Sequence, residues 1–305
     1  MLQRYANSLS VHTHKYGEAI WYYSLAHKRE KVKEVLDLLI SLSLLHSVAY
    51  PAEPEMDEHL KRLITSPRTV LKEMMGLDPE AANILRQWLS GYATLRKFYQ
   101  IRDAGVESEN KKASQASRAE AANALIMVIT SSDDNIRGGL YDENRGAVVD
   151  VDFLLALLGE AMVFVDQSGS LSLTPYQIEI LLKSIEDLET VGERVYGACN
   201  EFFKTVMAST PGLKGSNPMD MLKKSTSSLS GSSYSMVGSS MLASQFNKSI
   251  QSSRLLNENA KRGWDWRKSL TADMSSKDVL RILRYGLAKD LAKTSVLQAD
   301  GQLWN

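Results

Sequence analysis

Three times along this chain a residue able to cap a helix is followed at once by proline: Ser66-Pro67, Asp78-Pro79 and Thr174-Pro175. Proline at the first helical position sacrifices nothing, because that amide has no intrahelical partner and the ring already holds φ near the helical value. The side chain before it can accept from the orphan amides of the first turn. Gln177 stands three residues after Thr174, the spacing of a capping box. Behind these starts the apolar residues recur at intervals of three and four. After Asp78 they are Leu85, Trp88/Leu89, Tyr92, Leu95 and Tyr99. After Thr174 they are Ile178, Leu181/Leu182, Ile185, Leu188, Val195, Cys199, Phe202 and Val206. Each set falls on one helix face. The second reads as a single helix of about eight turns, roughly 45–50 Å long.

The same period runs from Glu18 to Tyr50 through Val32, Val35/Leu36, Leu39, Leu42 and Leu45, until Pro51 and Pro54 end it. Further helices are expected over Ala113–Thr130 and Val149–Val165. The latter is apolar nearly all round, which predicts a central position. Val148-Val149 and Leu171–Leu173 are too short to anchor a sheet. The expected fold is all-α: an elongated antiparallel helical bundle over 1–210. Beyond Met207 the composition changes. Pro211, Gly212, Gly215 and Pro218 break the pattern, and Lys223 to Ser253 is dominated by serine. Such a stretch has too little apolar surface to offset its ordering entropy. It predicts a Ser-rich flexible linker over 211–262. The remaining 263–305 carries Trp264 and Trp266, then a helix from Ser276 with Leu280, Leu283, Leu287 and Leu291 on one side. That helix is expected to dock back onto the bundle.

Charge and motifs narrow the function. Lys plus Arg number 36 and Asp plus Glu number 36, so the chain lacks the basic excess of a nucleic-acid binder. Cys199 is the only cysteine, which rules out an internal disulfide and predicts a reducing compartment. Met1 to Ser10 lacks the basic-then-apolar order of a secretory signal. The most apolar stretch, Val35 to Tyr50, is shorter than the roughly 20 residues of a membrane span and contains Asp37 and His46. There is no phosphate-binding glycine loop, no H-E-x-x-H and no G-x-S-x-G. The segment from Asp133 to Asn144 has calcium-loop spacing at Asp133, Asn135 and Gly138, but Arg137 and Asn144 stand where carboxylates belong. His12 and His14 have no third ligand nearby, and Glu55 and His59 are four apart where a di-iron bundle needs three. No catalytic, cofactor-binding or metal residue is assigned, and no cofactor is expected.

Two segments resemble pieces of a fungal family. They are Leu89-Ser90-Gly91-Tyr92-Ala93-Thr94-Leu95-Arg96-Lys97-Phe98-Tyr99, and Arg262-Gly263-Trp264-Asp265-Trp266-Arg267 with the later Leu283-Arg284-Tyr285-Gly286-Leu287-Ala288-Lys289. They are similar to the mitochondrial distribution and morphology adaptors that help tether mitochondria to the cell cortex. That resemblance implies an adaptor clasping a coiled coil, located in the cytoplasm and peripheral at an organelle or the cortex.

The residues themselves lead to a non-catalytic adaptor or scaffold whose grooves accept a partner helix or coiled coil, a mode that needs only apolar anchors at helical spacing. The partner-binding candidates are Trp264, Trp266, Arg267, Leu280, Leu283, Leu287 and Leu291. Tryptophan and arginine are enriched at binding hot spots, but tryptophan also buries large areas in cores. The competing reading, and the first expectation for Trp264 and Trp266, is that they anchor the last helix on the bundle, with the leucines as its docking stripe. An alternative function is peripheral membrane binding through that helix, whose polar face carries Lys277, Arg281, Arg284, Lys289 and Lys293. The serine tract, with Lys223, Lys224 and Lys248 close by, is a solvated spacer or a phosphorylation target. The sequence leaves oligomeric state open.

Overall fold

A computed structural model describes residues 15–104, 111–136, 148–165, 172–210, 265–271 and 274–303. The described residues form helices and no strand. The helices are α1 Tyr16–Leu25, α2 Arg29–His46, α3 Glu58–Thr65, α4 Pro67–Leu77, α5 Pro79–Ala104, α6 Lys111–Ile136, α7 Leu154–Ala161, α8 Pro175–Thr190, α9 Glu193–Ala208 and α10 Ser276–Leu303. The Ser-rich stretch of 211–262, Trp264, His12, His14 and residues 137–144 lie outside the described residues.

The caps explain where several helices begin. Thr174 accepts from the Gln177 amide at 3.3 Å while the Gln177 side chain accepts from the Thr174 amide at 2.8 Å. Asp78 Oδ1 accepts from the amides of Glu80 and Ala81, both at 3.0 Å. Asp57 Oδ1 caps α3 through the Leu60 amide at 3.0 Å, and its Oδ2 accepts from the Gly17 amide at 2.8 Å, which ties α3 to α1. Ser66, by contrast, makes no side-chain cap bond.

The helices pack in two rows. One row runs α4, α5, α6, α8, α10, each against the next. The other runs α1, α2, α9, α7, and α3 links α1 to α4 at one end. The Lys97–Glu120 ion pair at 2.8 Å fits an antiparallel α5–α6 hairpin. Every residue of α7 is buried, between α6, α8, α9 and α10, as its all-round apolarity requires. The helix expected over Val149–Val165 is shorter than that, because single 3-10 turns at Val151–Phe153 and Met162–Phe164 bracket α7.

Two other expected helices are each divided. The stretch from Glu18 to Tyr50 stops after Leu25 and restarts at Arg29. His27 is left-handed at φ 52°, the Lys28 amide donates to Tyr23 O at 2.9 Å and the His27 amide to Ser24 O at 2.9 Å. That is a Schellman end without its customary glycine. The long helix read from Thr174 to Val206 turns at Val191 and Gly192, both extended. The turn puts α8 in one row and α9 in the other. The apolar stripe continues across it, since both halves face the same interior.

The C-terminal stretch returns to the core. Val279, Leu280, Leu283 and Leu287 of α10 are buried, and Leu291 packs half-buried beside them. Its start has capping-box bonds between Ser275 and Asp278.

The caps make an asymmetric prediction. Thr174→Ala should lower folding stability by about 1 kcal/mol, while Ser66→Ala should change it by a few tenths at most. Equal losses for the two in chemical denaturation would contradict the capping assignments.

Candidate functional site

The densest buried polar chemistry lies at the C-terminus of α2. That helix ends as α1 does, with a left-handed Ser47 at φ 49° and the Val48 amide donating to Ser43 O. The turned backbone offers Leu45 O, Ser47 O and Ser47 Oγ to the interior. Arg267 Nη1 donates to Leu45 O at 3.0 Å, and Ser209 Oγ donates to the same carbonyl at 3.1 Å. Arg102 donates from Nη1 to Ser47 Oγ at 2.6 Å and from Nη2 to Ser47 O. Both guanidiniums are fully buried.

Buried cations need counter-charge. Asp265 pairs with Arg267 through both carboxylate oxygens, at 2.9 and 3.1 Å. Arg102 donates from Nε to Asp103 at 2.9 Å and reaches Glu160 Oε2 at 3.4 Å. Glu160, the only charge on α7, also accepts from Tyr99 at 3.0 Å and Ser47 at 3.1 Å. Burial pushes the Glu160 carboxyl above the ordinary carboxylate range, against the pull of Arg102 and Arg267. Burial lowers Arg102 in turn, but the Glu160 and Asp103 charges overcome it and hold the guanidinium above its usual value.

Trp266 seats beside this clasp. Its ring stacks on Phe203 with centroids 6.0 Å apart at 28°. It lies so close to α7 that a Cβ on Gly159 would fall 2.5 Å from Trp266 Cζ2. The sequence candidates therefore sit in the chain's own interior. Trp266, Arg267, Leu280, Leu283 and Leu287 are buried, Leu291 is half-buried, and Trp264 is outside the described residues. The stripe proposed for membrane contact is turned into the core. Several of the outward cations are paired: Arg281 with Asp278, Arg284 with Glu189 at 2.6 Å, Lys293 with Asp290 at 2.8 Å.

A second polar junction joins α2 to the segment before α7. Lys33 Nζ donates to Asp37 and Asp150, each at 2.6 Å. Burial raises Asp37 to about 6 against the pull of Lys33, and burial with the Asp150 charge raises Asp152 to about 7. Cys199 donates to Val151 O at 3.1 Å, and burial pushes its thiol up to about 12, so it is held as a thiol. Among the described residues no three His, Cys, Asp or Glu side chains are grouped so as to hold a metal ion.

On the outer surface an open trough of about 580 Å³ lies between α3–α4 and α5. Ile64, Pro67 and Leu71 form one wall, and Leu89, Ala93 and Thr94 lie along the floor. Sequence reasoning missed both this trough and the Arg102–Glu160 pair. The lone Glu160 inside an apolar helix was the signal for the pair, since such a charge must meet a cation.

No family model matches the chain, and no solved structure matches it. The whole chain aligns, however, with nucleoporin NUP85 of Chaetomium thermophilum at 47% identity over 319 positions. The chain spans 27% of that protein's length. This overturns the resemblance to mitochondrial distribution and morphology adaptors. Among the described residues of the segments that carried it, Tyr92, Leu95, Phe98, Tyr99, Trp266 and Leu287 are buried core positions, and such packing patterns recur among unrelated bundles. The cytoplasmic, organelle-cortex location falls with it, because the protein that matches from end to end of this chain is a nucleoporin.

Two tests follow from the geometry. Trp266→Ala should cost about 3–5 kcal/mol of stability, and Gly159→Ala should cost about 1–3 kcal/mol by overpacking against the indole. In the double variant the second loss should vanish, because the clashing ring is gone. Additive losses in denaturant titrations would mean that the contact is not the source of the strain. The second test concerns pH. Asp152 has a folded value near 7 against an ordinary 3.8. Between them the unfolded chain has released a proton that the folded chain keeps, so stability falls as pH rises across that window. Asp37 acts with the same sign up to about 6. Asp152→Asn should therefore gain on the wild type in melting temperature as pH rises from about 4 to 7; a pH-independent difference would sink this assignment.

Proposed function

We propose that this chain is a non-enzymatic structural scaffold of the nuclear pore, acting as one helical portion of a larger pore protein and working through protein partners. The observation that carries the reading is the 47% identity to nucleoporin NUP85 along the entire chain. The architecture agrees with such a role. The apolar residues of both rows, from Tyr16 to Leu287, belong to one connected core, and the buried charges are used to join elements. Groups with displaced proton affinity mark active sites when they converge in an accessible cleft, but they also arise in structural ion-pair networks. Here Glu160 is buried in the clasp and Asp37 in the Lys33 junction, neither among the residues that line the trough. A scaffold acts through its exterior, and the exposed apolar side chains Met75, Leu77, Tyr176 and Tyr285 supply contact area there.

Tagging the protein at its own locus tests the reading directly. The expected image is a punctate nuclear rim, with nucleoporins prominent among the proteins that co-purify. A diffuse or mitochondrial signal, with no nucleoporin in the purified complex, would refute it.

A further inference from the structure

The trough between α3–α4 and α5 has a shape and a charge that together specify an occupant. Its floor follows α5 through Arg86, Ser90, Ala93, Lys97 and Gln100, a spacing of three and four that keeps to one face. From Arg86 to Gln100 that is roughly 21 Å, about four helical turns. The middle of the floor is small, Ser90, Ala93 and Thr94, so another backbone can approach closely. The apolar wall of Pro67 and Leu71 extends one turn further to Met75, which is 49% exposed.

The charge is local. The chain as a whole is neutral, yet α3 and α4 carry Lys61, Arg62, Arg68 and Lys72 against Glu58 and Glu73 only. The α5 stretch from Arg86 to Gln100 contains no carboxylate; Arg86 and Lys97 line the trough, while Arg96 is buried and donates to Pro51 O. Arg68 and Lys72 directly follow the wall residues Pro67 and Leu71 and are exposed, with no ion pair among the described residues. The Lys97–Glu120 pair is more than half exposed on both sides and is worth little in water.

We propose that this trough receives an amphipathic helix of a partner protein, its small apolar face on Ala93 and Leu71 and its flanking carboxylates toward Arg68, Lys72 and Lys97. The inference rests on the scaffold reading and names the kind of partner that reading requires. A helix fits where other ligands do not. The described residues contain no strand, so there is no open edge for an extended peptide. No aromatic side chain lines the trough, so unpaired bases have nothing to stack on.

The probe is a displayed library of helices about 18 residues long, enough to span the trough at ~1.5 Å per residue, selected on the full chain. The expected winners carry small apolar residues at helical spacing with Asp or Glu beside them. Their affinity, read by fluorescence anisotropy, should fall with added salt and drop about tenfold or more in Ala93→Trp, which fills the trough. Lys97→Glu should weaken the same peptides with an unchanged melting curve, since Lys97 is exposed; Tyr285→Ala, on the far helix α10, should leave them unaffected. Failure to enrich any helix, enriched helices indifferent to both trough variants, or tighter binding of a uridine-rich single-stranded RNA would each overturn the proposal. The nuclear-rim signal of the wild-type protein judges the scaffold reading separately: a rim signal without peptide capture would reject the trough and leave the scaffold.

Discussion

The buried end of α2 is the constraint around which the other elements are arranged. Any helix leaves its last carbonyls without intrahelical partners. Most helices hand them to water, but here Leu45 and Ser47 are buried. Two arginines take the place of water, and positive charge at a helix C-terminus is also favoured by the backbone dipole. Neither arginine can be buried alone. Arg102 needs Glu160, which fixes the face that α7 turns toward α5. Arg267 needs Asp265, which fixes the approach of the C-terminal stretch and brings Trp266 against Phe203 and Gly159. Removing one member of such a set leaves a charge stranded, at a cost of about 3–5 kcal/mol, whereas replacing a whole set with apolar groups can be neutral. Its contribution to the fold is therefore relative placement more than net stability.

The Lys33 junction works on the same terms with weaker components. One ammonium serves Asp37 and Asp150, and Asp152 adds a third carboxylate beside them. The surplus of negative charge is what raises the acids and makes this corner respond to pH. Together the two junctions pin α2 at both ends, one near Lys33 and one at Ser47, so the helix that lies between α5 and α9 has little freedom to slide. Rigidity of that kind suits a part whose outer surfaces must hold a fixed relation to neighbours.

Helix-forming content was plain in the sequence because caps, prolines and apolar spacing all agree at Asp78 and Thr174. The breaks at His27 and Ser47 were not. Both are left-handed Schellman ends built on residues other than glycine, closed by local backbone bonds, so the usual sequence marker is missing. The single long helix read from Thr174 failed for another reason: a stripe reports which face is apolar, and two helices meeting at Gly192 can present the same face to one core. Glu160 was visible as a lone charge in an apolar run, but the identity of its partner, 58 residues away at Arg102, is a property of the fold. The segments that suggested an adaptor family include core positions such as Tyr92, Phe98 and Leu287, and core patterns recur because packing is general. The trough had no signature at all, since its floor of serine, alanine and threonine is defined by what those residues leave empty.

The bond from Arg267 to Leu45 joins residues 222 positions apart. A ribosome adds roughly 5–20 residues each second. After Leu45 is made, on the order of ten to forty-five seconds pass before its guanidinium partner exists. During that interval Arg102 and then Ser209 become available to Ser47 O and Leu45 O, but the Arg267 bond and the indole that covers Phe203 are still missing. The stretch around Arg267 is thus made long after the α2 end that it covers, and until it emerges the Leu45 carbonyl lacks one of its two side-chain donors.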